Sequence, residues 1–181
     1  MTLRVTGGET RGRRLVVPRG LRPTEGLVRE AIFNMVAAAV PEAIVLDLFA
    51  GSGALGVEAL SRGAARAYFV DRAEAASVAI KRNLEAAGYR DRGLVFRSDA
   101  ARWLATHQVE VGEATLALLD PPYADTRALE AALRELDEHL PGAATVVAEH
   151  DSRHRLPELE RLAVDRERRY GGSSVTILRT P

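Results

Sequence analysis

Residues 44–56 read Ile44-Val45-Leu46-Asp47-Leu48-Phe49-Ala50-Gly51-Ser52-Gly53-Ala54-Leu55-Gly56. Residues 44–49 are a short apolar run headed by β-branched Ile44 and Val45, suited to a buried strand. Gly51 ends the run, and residues 54–61 read as helix. A strand, a glycine loop and a helix in that order open a βαβ unit of a doubly wound sheet.

The pattern continues downstream. Strands are expected at 66–71, 94–97, 116–120 and 144–149, and helices at 74–87 and 100–106. The 116–120 run is nearly all apolar, as a strand covered on both faces should be. Leu129, Leu133, Leu136 and Leu140 recur at helical spacing, so a helix buries one face there. Residues 162–168 and 174–179 read as a closing antiparallel hairpin around Gly171-Gly172. Upstream, 3–6 and 13–17 look like two short strands joined at Gly7-Gly8, followed by a loop over 18–23 and a helix over 25–40 with Thr24 as its N-cap. The fold class is therefore α/β and Rossmann-like: a mostly parallel doubly wound sheet with a C-terminal antiparallel hairpin and a small N-terminal β-hairpin appendage. Residues 1–24 are taken as the appendage and 25–181 as the main domain.

A chain of 181 residues with 46% apolar and 28% charged residues has enough material for one well-buried core, which excludes disorder and fibrous folds. No apolar run approaches the roughly 18 residues of a membrane helix. The opening MTLRVTGGE has no apolar h-region, so no secretory signal is expected and a cytoplasmic location fits. The absence of cysteine excludes disulfides, thiolate nucleophiles and cysteine-ligated metal. Formal net charge is zero, but residues 1–24 carry Arg4, Arg11, Arg13, Arg14, Arg19 and Arg22 against Glu9 alone, a net of +5. A basic arm on a compensating body suits a phosphate backbone; the plainer alternative is a solvated face.

Of the nine aspartates, Asp47, Asp71, Asp99 and Asp120 fall at the ends of the first four body strands, 24, 28 and 21 residues apart. In an open parallel sheet those ends form the ligand crevice. Helix capping could account for Asp71 and Asp99, but fits Asp47 poorly, because it precedes the glycine loop. The loop matches the dinucleotide pattern GxGxxG, with Asp71 twenty residues after Gly51, so an NAD-dependent oxidoreductase is one alternative. Asp47 argues against it, since a carboxylate there repels pyrophosphate and suits a cation such as the amino group of S-adenosylmethionine (SAM). The four histidines, at 107, 139, 150 and 154, supply no evident hydride-transfer acid.

Asp120-Pro121-Pro122-Tyr123 ends the fourth strand. An exocyclic base amine is a poor nucleophile because its lone pair is delocalised into the ring. Asp120 can accept one amine hydrogen, and the extended proline pair can turn a backbone carbonyl toward the other. Tyr123 offers a ring on which an extruded base stacks. The plainer reading is a strand-to-helix turn with Pro at its start. Trp103 is expected in the core.

With both motifs in place, the sequence resembles the SAM-dependent amino-methyltransferases, and among them the RsmD-type 16S rRNA guanine-N2 methyltransferases. The N-terminal hallmark is Gly7-Gly8, Arg11-Gly12-Arg13, Gly20-Leu21-Arg22-Pro23-Thr24 and Val28-Arg29-Glu30-Ala31-Ile32-Phe33-Asn34. The resemblance implies that Asp47, Phe49, Gly51, Ser52 and Gly53 meet the methionine end of SAM, Asp71 the ribose hydroxyls, and Asp99 with Ala100 the adenine. It implies that Asp120, Pro121, Pro122 and Tyr123 hold the guanine, and that Arg22, Thr24 and Arg29 lie near the entrance. Arg11, Arg13 and Arg14 would meet rRNA phosphates. The implied partner is 16S rRNA in an assembling small subunit, with no metal, membrane or obligate protein partner. A DNA adenine-N6 or cytosine-N4 methyltransferase also uses such a motif but usually carries a sizeable target-recognition region. A catalytically silent nucleic-acid-binding module would not need the DPPY segment.

Overall fold

Residues 3–20, 26–122 and 125–181 are described by the computed structural model. Seven strands form one sheet: β1 (Ile44–Leu48), β2 (Arg66–Asp71), β3 (Gly93–Arg97), β4 (Leu116–Leu119), β5 (Thr145–Asp151), β6 (Ala163–Tyr170) and β7 (Ser173–Arg179), in the order β3-β2-β1-β4-β5-β7-β6. The first five are parallel, and β7 is antiparallel to both β5 and β6. The chain runs outward from β1 through β2 to β3, then returns to place β4 on the other side of β1. That reversal opens a crevice beyond the carboxyl ends of β1 and β4.

Among the described residues six α-helices cover the sheet: α1 (Gly26–Met35), α2 (Ala54–Ser61), α3 (Glu74–Ala87), α4 (Ala100–Thr106), α5 (Gln108–Glu113) and α6 (Thr126–His139). Alternation along the strands divides the core into two layers. Val45, Phe69, Leu118 and Val147 face the layer of α1 to α3, while Leu46, Val70, Leu119 and Ala148 face α4 to α6. In α6, Leu129, Leu133 and Leu136 are fully buried, as their spacing predicts. Trp103 is in the core, stacked on His107 with ring centroids 4.6 Å apart.

The N-terminal segment departs from expectation. The two strands expected at 3–6 and 13–17 reduce to one antiparallel bridge, Arg4↔Arg14. The backbone donors that would have extended a ladder point elsewhere. Thr6 and Gly7 N–H donate to the Glu58 carboxylate, Glu9 N–H to the Ser61 carbonyl and Thr10 N–H to Ser61 Oγ. The segment is thereby laid along α2, and Leu3, Val5 and Leu15 join the α1–α3 core. Every residue of α2 is buried as a result. A side chain at Gly8 would strike the Ser61 carbonyl at 1.9 Å, so the close approach needs glycine. The helix expected over 25–40 ends at Met35, and Ala37–Ala39 form a 3-10 turn. Thr24, expected as its N-cap, lies outside the described residues. Helix α5 was not expected. Among the described residues no helix is long and apolar enough to cross a membrane.

Candidate active site

A cleft of about 1320 Å3 opens at the switch point. The glycine loop after β1 and the proline corner after β4 both line it, as do Asp47, Asp71, Asp99 and Asp120. Four aspartates spread over 74 sequence positions thus share one rim, because parallel strands bring equivalent ends together.

Asp47 forms the floor. It is 1% exposed, and its Oδ2 accepts the Gly56 N–H at 2.8 Å. Asp47 therefore does serve the backbone at the start of α2, nine residues ahead, where local capping logic does not look. Gly56 is required there, since a Cβ would come within 2.3 Å of the Phe69 ring and 3.0 Å of Asp47 Oδ2. Burial pushes the Asp47 carboxyl well above the usual carboxylate range; the Gly56 N–H opposes the shift, and Asp120 and Asp71 add to it.

Asp71 ties two loops together. Its Oδ2 accepts the Gly51 N–H at 2.9 Å and its Oδ1 the Ala73 N–H at 2.8 Å. A carboxylate has about four acceptor positions, so two remain. Asp99 caps α4, with Oδ1 accepting the Arg102 N–H at 3.1 Å, and Ala100 follows on the cleft wall. In the glycine loop, Phe49, Gly51 and Ser52 line the cleft. Phe49 takes φ +62, a strained value of the kind that gathers at functional sites. Gly53 is buried at the start of α2, where a Cβ would press on Ile80 and Phe69.

On the other side stand half-buried Asp120, buried Pro121 and exposed Pro122, whose carbonyl accepts the Asp125 N–H at 2.8 Å. Tyr123 lies outside the described residues, as does Arg22. A loose ion pair, Arg72 to Asp125 at 3.7 Å, links the lips beyond β2 and β4. The far wall holds residues the sequence reading passed over: Glu149 and Asp151 from β5, Arg153 after it, and the Tyr170–Gly172 turn. Arg153 pairs with Asp151 at 2.7 Å and holds that carboxyl far below its usual range. Glu149 and Asp151 end an apolar strand that pairs with β4, the same signal that marked the other four acids.

Arg29 is a buried cation. It is 1% exposed, with Nε 3.4 Å from Glu58 Oε2 and Nη2 donating to the Arg4 carbonyl. It fastens the N-terminal segment from within, through Glu58 and the Arg4 carbonyl, one residue after Val28 on the cleft wall. By contrast Arg11, Arg13 and Arg14 are exposed, and none has a carboxylate partner among the described residues.

The protein family described as "Conserved hypothetical protein 95" matches residues 3–179. This chain belongs to that family, the RsmD type. Its relatives include the Bacillus subtilis protein named "Putative rRNA methyltransferase YlbH", 41% identical over 181 residues and covering 97% of each chain. The Escherichia coli "Ribosomal RNA small subunit methyltransferase D" is 42% identical over 123 residues, 67% of this chain and 60% of that one. Among solved structures, the Escherichia coli protein titled "Putative methyltransferase yhhF" superposes with a TM-score of 0.87 at 31% identity, covering 99% of this chain and 98% of its own. A Salinibacter ruber RNA methyltransferase in complex with S-adenosyl-L-homocysteine has the same fold, with a TM-score of 0.66 at 21% identity. The family fold is thus the Rossmann-like methyltransferase fold.

Proposed function

We propose that this protein transfers a methyl group from SAM to the exocyclic N2 amine of a guanine in small-subunit rRNA. The observation that carries the reading is the Asp120-Pro121-Pro122 corner and the glycine loop facing one cleft across the sheet's switch point. The cleft's chemistry fits SAM. A floor carboxyl whose charge is opposed by burial and by two neighbouring acids favours a cationic ligand, and Asp71 keeps two acceptor positions for a ribose diol. Asp99 and Ala100 are assigned to the adenine, and Phe49, Gly51 and Ser52 to the methionine part; all five line the cleft. The bound donor supplies an electrophilic methyl group on a sulfonium.

The chain's own work is positioning and proton handling. Asp120 accepts one N2 hydrogen and directs the lone pair; the Pro121 carbonyl takes the other. As N2 bonds to the methyl carbon, that carbon's bond to sulfur breaks to leave S-adenosylhomocysteine, and N2 sheds a proton that Asp120 is assigned to receive. Tyr123 is assigned the stacking face for the extruded base. Residues 1–24 are the RNA-contacting arm of a methyltransferase domain spanning 25–181, with Arg11, Arg13 and Arg14 on phosphates. Arg22 and Thr24 are assigned to the entrance. The substrate is 16S rRNA within an assembling small subunit, in the cytoplasm, and the reaction needs no metal.

Radiolabelled SAM offered in parallel with small subunits, free 16S rRNA and duplex DNA tests this. N2-methylguanine, identified by nucleoside mass spectrometry in the rRNA arms, is the expected product. N6-methyladenine or N4-methylcytosine in DNA overturns the reading.

A further inference from the structure

Strands β4 and β5 are parallel neighbours with Leu119 paired to Ala148. Asp120 follows directly after β4 and Glu149 is the next residue of β5, so continuing the register sets the two acids at neighbouring positions, with strands about 4.8 Å apart. Both line the cleft. Glu149 is only 5% exposed. Alternation along β5 turns it to the side of Val147, the layer that also holds the glycine loop and its helix.

We propose that Glu149 accepts the ring N1–H of the target base, so that the Asp120–Glu149 pair selects guanine. This rests on the guanine reading above. Guanine presents its N2 amine and N1–H as adjacent donors, a pattern that two neighbouring carboxylates match. Adenine places a bare acceptor, N1, beside its N6 amine, and cytosine places bare N3 beside its N4 amine. A carboxylate facing either ring nitrogen sets acceptor against acceptor and leaves a buried charge unmatched. Glu149 thus separates a guanine-N2 enzyme from one acting on adenine N6 or cytosine N4, although all three need the Asp120 corner. The N1 proton stays on N1 throughout, and Glu149 takes no part in bond making.

The test uses 2-aminopurine, which keeps the N2 amine but has a bare N1. Once the modified guanine is mapped, 16S rRNA is rebuilt by splinted ligation with guanine or 2-aminopurine at that position. The wild-type kcat/KM is expected to be at least about 100-fold higher for guanine, as for sites that read a buried donor. In Glu149→Gln, whose amide can donate to a bare N1, the ratio should shrink to less than about 10-fold, with the melting temperature and SAM affinity unchanged. Glu149→Asp should preserve the preference at a lower rate. Equal wild-type rates on the two RNAs overturn the inference without recourse to any variant, as does a ratio that Glu149→Gln leaves unaltered. A wild-type protein that makes no methylguanine in any RNA sinks the underlying functional reading instead.

Discussion

The cleft floor and the back of helix α2 each bury a carboxylate, and they treat it in opposite ways. Behind α2, Glu58 accepts from Thr6 N–H, Thr6 Oγ1, Gly7 N–H, Arg29 Nε and Arg62 Nε. Its acceptor positions are used up in holding the N-terminal segment. On the floor, Asp47 accepts from the Gly56 N–H and has two acids as neighbours, and its charged form is disfavoured. A buried acid kept for structure is saturated with donors; one kept at a ligand cleft retains acceptor capacity and unrelieved repulsion that a bound cation removes.

Variants can break or sharpen that contrast. Asp120→Ala should lower kcat by about 10²- to 10⁴-fold with SAM affinity nearly intact; calorimetry beside single-turnover kinetics separates the two quantities. Glu58→Ala should lose about 3–5 kcal/mol of stability, because it strands a buried Arg29 and the Thr6 and Gly7 N–H groups. Urea denaturation measures this, and a loss no larger than a surface pair's would end the claim that Glu58 is saturated for structure. Asp71→Ala should weaken SAM binding by about 1.5–3 kcal/mol; an unaltered calorimetric Kd would mean that the diol is held elsewhere. The smallest effect belongs to the exposed arm. Replacing Arg11, Arg13 and Arg14 with Ala should make the log–log salt dependence of RNA binding shallower by about two units while the melting temperature holds. An unchanged slope would move the RNA surface off the N-terminal segment.

The carboxyl-end acids were legible because their signal is local. Each closes an apolar run and precedes a helix, and the βαβ rule converts that spacing into a shared rim. Asp47, Asp71, Asp99 and Asp120 all line the cleft on that basis. Glu149 also closes an expected strand but was passed over, since no helix follows β5 and the rim was read from aspartates alone. The burial of Arg29 was hidden for a different reason. Its helix is amphipathic, and nothing in the neighbouring residues shows that Glu58, 29 positions away, waits beneath it.

The alternation of strands and helices, the glycine loop, the proline corner and the gathering of Asp47, Asp71, Asp99 and Asp120 on one rim follow from residue pattern alone, because hydrophobic period and turn chemistry act over a few residues. Which arginines reach solvent and which are consumed inside, the collapse of the expected hairpin onto α2, and the Asp120–Glu149 adjacency were decided by tertiary structure. Each depends on a partner far along the chain, and a buried charge is tolerated only where such a partner arrives.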